Sequence, residues 1–229
     1  FVNDLTPQAT EQLVDRLLAH AGFGEHWGRW WLDAVRYADS NGYDWDEFRP
    51  EAWRYRDYVI RSLNADKPFS EFIREQLAGD EMMSGPPQDA ADQDRLLATG
   101  FLRIGPWDNS SKLFKEDHKN LAAHQADLTE TTATVFLGLT MACCRCHDHK
   151  TEPLLQADHY RLRAVFAGTK FADELPLDLA SEQESIKQFN AGIDAEEKDK
   201  NKAKARYKPF TNALVMTAGE PPETQDRKS

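Results

Sequence analysis

No apolar run in this 229-residue chain approaches the ~20 residues needed to cross a bilayer, so no membrane-spanning segment is expected. Basic charge is scarce: 28 Lys and Arg stand against 39 Asp and Glu, and the net charge of −11 repels phosphate backbones. Nucleic acid is therefore not an expected partner. Cysteine is limited to 3 residues, too few for a disulfide framework. With 40% hydrophobic residues the chain can still build a core without covalent staples. Strand-like alternation of useful length is missing, and so is any internal repeat. The opening Phe1-Val2-Asn3-Asp4-Leu5 has no basic region followed by an apolar stretch, so the sequence reads as an excised or processed fragment.

What is present is helical patterning. Thr6-Pro7 reads as a helix start, with Leu13, Val14, Leu17 and Leu18 on one stripe before Gly22. Phe23, Trp27, Trp30, Trp31, Ala34, Val35 and Ala38 then recur at three- and four-residue steps, a wide aromatic face that predicts burial. Pro50 can open a third helix in which Trp53, Asp57, Ile60 and Leu63 share a face. Phe69, Phe72, Ile73 and Leu77 mark a fourth, closed by Gly79. Leu96, Leu97 and Phe101 suggest a short helix, Leu121 to Phe136 a further helical stretch, and Asp158 to Phe166 another, closed by Gly168. From Ser181 to Lys208 the chain is rich in Glu, Lys, Asp, Gln and Ala with few apolar anchors, as suits a solvated helical arm or linker. Ala213-Leu214-Val215-Met216 is a short apolar return, and Gly219 to Ser229 a tail.

The run Cys143-Cys144-Arg145-Cys146-His147 carries the most chemistry. In C-x-x-C-H two thiols three residues apart can bond the two vinyl groups of a haem, and the adjacent His then ligates the iron. Shuffling 3 Cys and 7 His through the chain yields this pattern in about one case in a thousand, which sets the motif apart from chance. Cys143 and Cys146 are thus candidate thioether anchors for haem c, and His147 the candidate proximal iron ligand. Attachment of this kind takes place outside the cytoplasm. A zinc site made of Cys143, Cys146, His147 and His149 is the alternative, although structural zinc sites draw ligands from a distant segment; a redox dithiol would want a strand-then-helix context. His149 follows His147 too closely to reach the opposite face of the same porphyrin. Met216 is a candidate distal ligand, because a thioether stabilises ferrous iron, though a Met beside Leu and Val equally fits packing; His118, His124 and His159 are others. An open sixth position would permit ligand binding or peroxide chemistry, whereas two strong protein ligands restrict the iron to passing electrons. Whether the domain is an enzyme or a carrier turns on that position.

From about Glu11 to Gly168 the order of motifs resembles the planctomycete-type cytochrome-like family, specifically its second cytochrome-like domain, long catalogued as a domain of unknown function. The residues carrying the resemblance include Leu13 to Leu18, Trp30-Trp31-Leu32-Asp33, Arg36 to Tyr43, Trp53 to Ile60, Gln76 to Asp80, Phe136 to Thr140, and Cys143 to Lys150. Cys144, Trp30 and His159 depart from the small residue, His and Tyr usual there; none of the three touches Cys143, Cys146 or His147. The resemblance implies an extracytoplasmic haem-binding module set between an N-terminal cytochrome c-like domain and a C-terminal family-specific domain, with a link to polysaccharide breakdown.

Other clusters carry weaker signals. Tyr37, Tyr43, Trp45 and Trp53 flank an acidic loop and can either pack between helices or, if exposed, stack on sugar rings. Asp39, Asn41, Asp44 and Asp46 have oxygens near calcium-loop spacing without the terminal Glu. Arg54, Arg56 and Arg61 can pair with haem propionates or with neighbouring carboxylates. The expectation is a mainly α fold: an irregular helical haem-c domain over residues 1–170, a charged helical arm or linker over 171–210, and a return segment and tail over 211–229 leading to a further domain. Its expected work is electron transfer to a redox partner protein or an adjacent cytochrome domain. A polysaccharide-binding module with a structural haem or metal, and a haem enzyme with an open iron, are the alternatives.

Overall fold

The three- and four-residue spacing of apolar side chains becomes helix along most of the chain. The computed structural model describes residues 6–196 and 200–218; the opening Phe1 to Leu5 and the tail from Gly219 lie outside them. The first helices are α1 (Ala9–Leu18), α2 (Gly22–Ala34), α3 (Ala52–Asn64), α4 (Phe69–Ala78), α5 (Ala90–Ala98) and the single turn α6 (Gly100–Arg103). The long α7 (Asp117–Leu137) and α8 (Gln156–Val165) follow, and the charged stretch forms α9 (Ala180–Glu196) and α10 (Lys200–Arg206). Asp89 caps α5 by accepting from the Asp92 amide. Gly138, at φ +66°, closes α7 in the left-handed conformation that glycine adopts without steric cost. No helix among the described residues is long and apolar enough to cross a membrane.

The aromatic periodicity of α2 does not mark its buried face. Trp27 and Trp30 are 51% and 55% exposed, whereas Gly24 and Gly28 are buried against α3. Two glycines one turn apart let the helix backbones approach, which turns the large indoles of that register outward. Trp31 is the exception: its indole N–H donates to the Tyr55 hydroxyl at 3.1 Å, which in turn donates to Gln76. Helix α3 likewise buries Tyr55, Tyr58, Val59 and Ser62 rather than the face bearing Trp53. The stripe on α1 is also largely outside, with Val14, Leu17 and Leu18 all exposed.

The core runs through Tyr55, Tyr58, Phe72, Leu96, Phe101, Leu128 and Phe166 to Ala213, Leu214, Val215 and Met216. The apolar return therefore completes this core. Four short strands, too brief to leave an alternating pattern, hold it there. β1 (Thr169–Phe171) pairs antiparallel with β4 (Met216–Ala218), and β2 (Leu175–Pro176) with β3 (Asn212–Ala213). The charged arm is also tied down: Ile186, Ile193 and Ala203 are buried, and Asn190 exchanges hydrogen bonds with the Lys208 backbone.

Candidate functional site

Gly138 ends α7 and lets the chain turn, with the Leu139 amide bonded back to Ala133 O at 3.0 Å. Residues Ala142–Arg145 then form a 3-10 turn. With three residues per turn, side chains at i and i+3 eclipse. Cys143 and Cys146 are accordingly both exposed, while Cys144 is fully buried. Cys144 packs with Ala133 and Met141 as a small satellite core, its thiol directed at the Leu154 carbonyl, 3.7 Å away. The odd cysteine is thus the apolar peg that seats the loop.

Helix α8 clamps this loop from one side. Gln156 donates its side-chain N–H to the carbonyl of Cys146 at 3.0 Å, and Tyr160 donates its hydroxyl to that of Arg145 at 3.1 Å. In return Asp148 accepts from the Gln156 amide at 2.7 Å, so it caps the start of α8. None of these three was visible as a site residue in the sequence. An Asp just past the motif was the only hint, because Asx side chains readily cap a following turn.

His147 is exposed, and its Nδ1 lies 2.7 Å from the Asp148 carbonyl oxygen. A carbonyl only accepts, so Nδ1 is the donor in this contact; in the neutral ring that leaves Nε2 as the acceptor, the tautomer a metal-ligating histidine needs. His149 serves otherwise: its Nδ1 accepts from the Glu152 and Thr151 amides. Among the described residues no group of three or more His, Cys, Asp or Glu side chains is arranged to share a metal ion. The Cys143, Cys146, His147 and His149 zinc set is therefore not assembled. In the calcium-like loop, Asp39 accepts from Tyr37, Asp46 from Ser40 and Gly42, and Asn41 from Arg49. Those oxygens serve the turn. A covalently held haem asks for two accessible thiols and one accessible imidazole nitrogen, and Cys143, Cys146 and His147 are all exposed.

The chain's candidate distal ligands are dispersed. Met216 is 1% exposed and belongs to the main core, in register with Phe171. Ligation through Met216 would take its side chain out of that packing. His118 is exposed. His124 and His159 are buried, and no ring nitrogen of either has a hydrogen-bond partner. His159 is held below its ordinary pKa by burial first, then by Arg163 and Arg145; Glu130, whose carboxylate is 3.8 Å away, is raised by burial. The arginines considered for propionates are paired with protein carboxylates: Arg54 with Glu51, Arg56 with Asp57 and Arg61 with Asp94.

The family model PSCyt2, protein of unknown function (DUF1549), matches residues 1–171. The chain belongs to the PSCyt2 family. The match agrees with the planctomycete-type cytochrome-like resemblance and covers every helix from α1 to α8, the 3-10 turn and its cysteines. It ends in β1, although the PSCyt2 core here is completed by β4, beyond it. No curated protein and no solved structure matches the chain.

Proposed function

We propose that this PSCyt2 domain carries one haem covalently through Cys143 and Cys146, with His147 as axial ligand, and passes electrons within a larger extracytoplasmic protein. The observation carrying the reading is the shared exposure of the two thiols three residues apart, beside an exposed imidazole whose Nδ1 is held by the Asp148 carbonyl. When bound, a haem supplies a one-electron iron couple. The chain's own residues do the positioning. Cys144 anchors the loop from beneath, Gln156 and Tyr160 fix its carbonyls, and the Asp148 carbonyl orients the His147 ring. The family's cytochrome-like name supports the same reading. Electron exchange would be with an adjacent cytochrome domain or a separate redox protein, and Met216 stands as the distal candidate only if β4 yields.

Expression with a haem-ligation system, followed by acid-acetone extraction, tests this. The expected result is pigment that stays with the polypeptide, a c-type pyridine haemochrome, and loss of both in Cys143→Ala/Cys146→Ala. Colourless protein with two alkylatable surface thiols overturns it.

A further inference from the structure

His159 is fully buried in α8, and neither of its ring nitrogens has a hydrogen-bond partner. We propose that this histidine is an acid-sensitive latch whose protonation releases the cysteine loop from α8. As regulation of the haem site the latch rests on the reading given above, whereas release itself is a property of the loop.

The geometry sets the latch beneath the loop. His159 faces Glu130 on α7, with 3.8 Å between Nε2 and the carboxylate. One turn further along α7, Ala133 packs with Met141 and Cys144 in the satellite core, and Leu162, one turn further along α8, packs against them. Leu162 also borders the main core, but Tyr55, Phe72 and Leu128 belong to the main core alone. The loop is therefore a small unit that opens while the main core stays packed. Gly138 supplies the pivot: it stands at φ +66°, and nothing lies within 4 Å of its missing Cβ. The remaining ties are the Gln156 and Tyr160 bonds to the carbonyls of Cys146 and Arg145, and the Asp148 cap on the Gln156 amide. Each is a single hydrogen bond of modest net worth.

Charge gives the latch its direction. The charged groups facing His159 and Glu130 are Arg163 from α8, Arg145 from the loop itself and Asp127 from α7. Asp127 is already gripped by Arg36. Glu130, its side chain 29% exposed, is the route by which a proton from water reaches the buried ring. A positive charge on that ring meets two guanidinium groups and loses hydration, and one carboxylate at 3.8 Å offsets this only in part. Burial first, then Arg163 and Arg145, hold His159 below its ordinary value in the closed loop. In the opened loop the ring is hydrated and titrates near pH 6.5. As the pH falls through that value the open form gains the proton more readily, so the closed form loses ground on acidification. Glu130 is raised by burial and opposes this as it takes up its own proton.

The test is labelling of Cys144 in the full chain by dithiodipyridine, followed by peptide mass, each rate divided by that of the same thiol in the urea-unfolded chain at the same pH. Cys144 stays free whether or not Cys143 and Cys146 carry haem, so failure of the latch and failure of haem attachment are read separately. Relative labelling of Cys144 is expected to rise about three- to eightfold between pH 7 and 5.5. The rise should vanish in His159→Gln and be at least as large in Glu130→Gln; if His159→Gln does not fold, the parent and Glu130→Gln profiles still decide. Amide exchange in α3, corrected for its intrinsic pH dependence, should not follow the loop. A flat profile in the parent, the same rise in His159→Gln, loss of the rise in Glu130→Gln, or α3 opening in step with the loop overturns the proposal.

Discussion

Gly24 and Ile60 touch backbone to backbone: a Cβ built on Gly24 would stand 2.4 Å from the Ile60 carbonyl oxygen. No rotamer relieves that contact, because the obstacle is main chain. Gly24→Ala should therefore push α2 off α3 and lower stability by roughly 1–3 kcal/mol. Gly192, in α9, has nothing within 4 Å of its missing Cβ; Ala there should be neutral or add up to about 1 kcal/mol through helix propensity. Urea midpoints of the two variants check the contrast, and equal effects would disprove the close approach.

The cysteine loop depends on bonds from α8. Tyr160→Phe removes the donor to Arg145 O, and Gln156→Ala the donor to Cys146 O. Each bond contributes about 0.5–1.5 kcal/mol, so amide exchange at Cys146 and His147 should quicken roughly 2- to 10-fold in either variant. Exchange in α3 should stay unchanged. Hydrogen-exchange mass spectrometry reads this directly.

Arg36 lies at φ +54° where α2 ends, a conformation that costs a non-glycine residue about 1 kcal/mol or more. Its guanidinium grips Asp127 on α7 through Nε at 2.7 Å and through Nη2. The half-buried pair joins segments 91 residues apart, so Asp127→Asn should cost roughly 1.5–3 kcal/mol. Full stability in that variant, by thermal and urea unfolding, would remove the pair from the account of the fold.

His124 is pushed down to about 3, first by burial and then by Arg36, Arg103 and Arg49. The unfolded chain's imidazole takes its proton near pH 6.5, so between about pH 6.5 and 3 the unfolded state binds more protons than the folded one. Stability is then full above pH 6.5 and falls on acidification by about 1.4 kcal/mol per pH unit from this residue. His124→Leu should flatten the dependence of the urea midpoint between pH 7 and 5. An unchanged slope would mean that other groups carry it.

Helix content was legible from local spacing, since turn-forming Gly and Pro and the three- and four-residue apolar rhythm act within one element. Which face of each helix turns inward was not. Trp27 and Trp30 lost the core to Gly24 and Gly28, because close backbone approach offsets large side-chain area and leaves no periodic apolar signal. The same blindness hid Tyr43, Trp45 and Trp53, whose exposure depends on a hairpin and on α3 packing.

The sequence by itself determined the helical class, the acidic surface and the chemical capacity of Cys143, Cys146 and His147, because composition, periodicity and short spacing are properties of neighbouring residues. Only the tertiary structure decided that Cys144 turns inward while its neighbours turn outward, that Gln156 and Tyr160 hold the loop, and that Met216 is spent on the core. Those outcomes depend on contacts between segments far apart in the chain, where burial and hydrogen bonding are settled by the partner element and not by the residue itself.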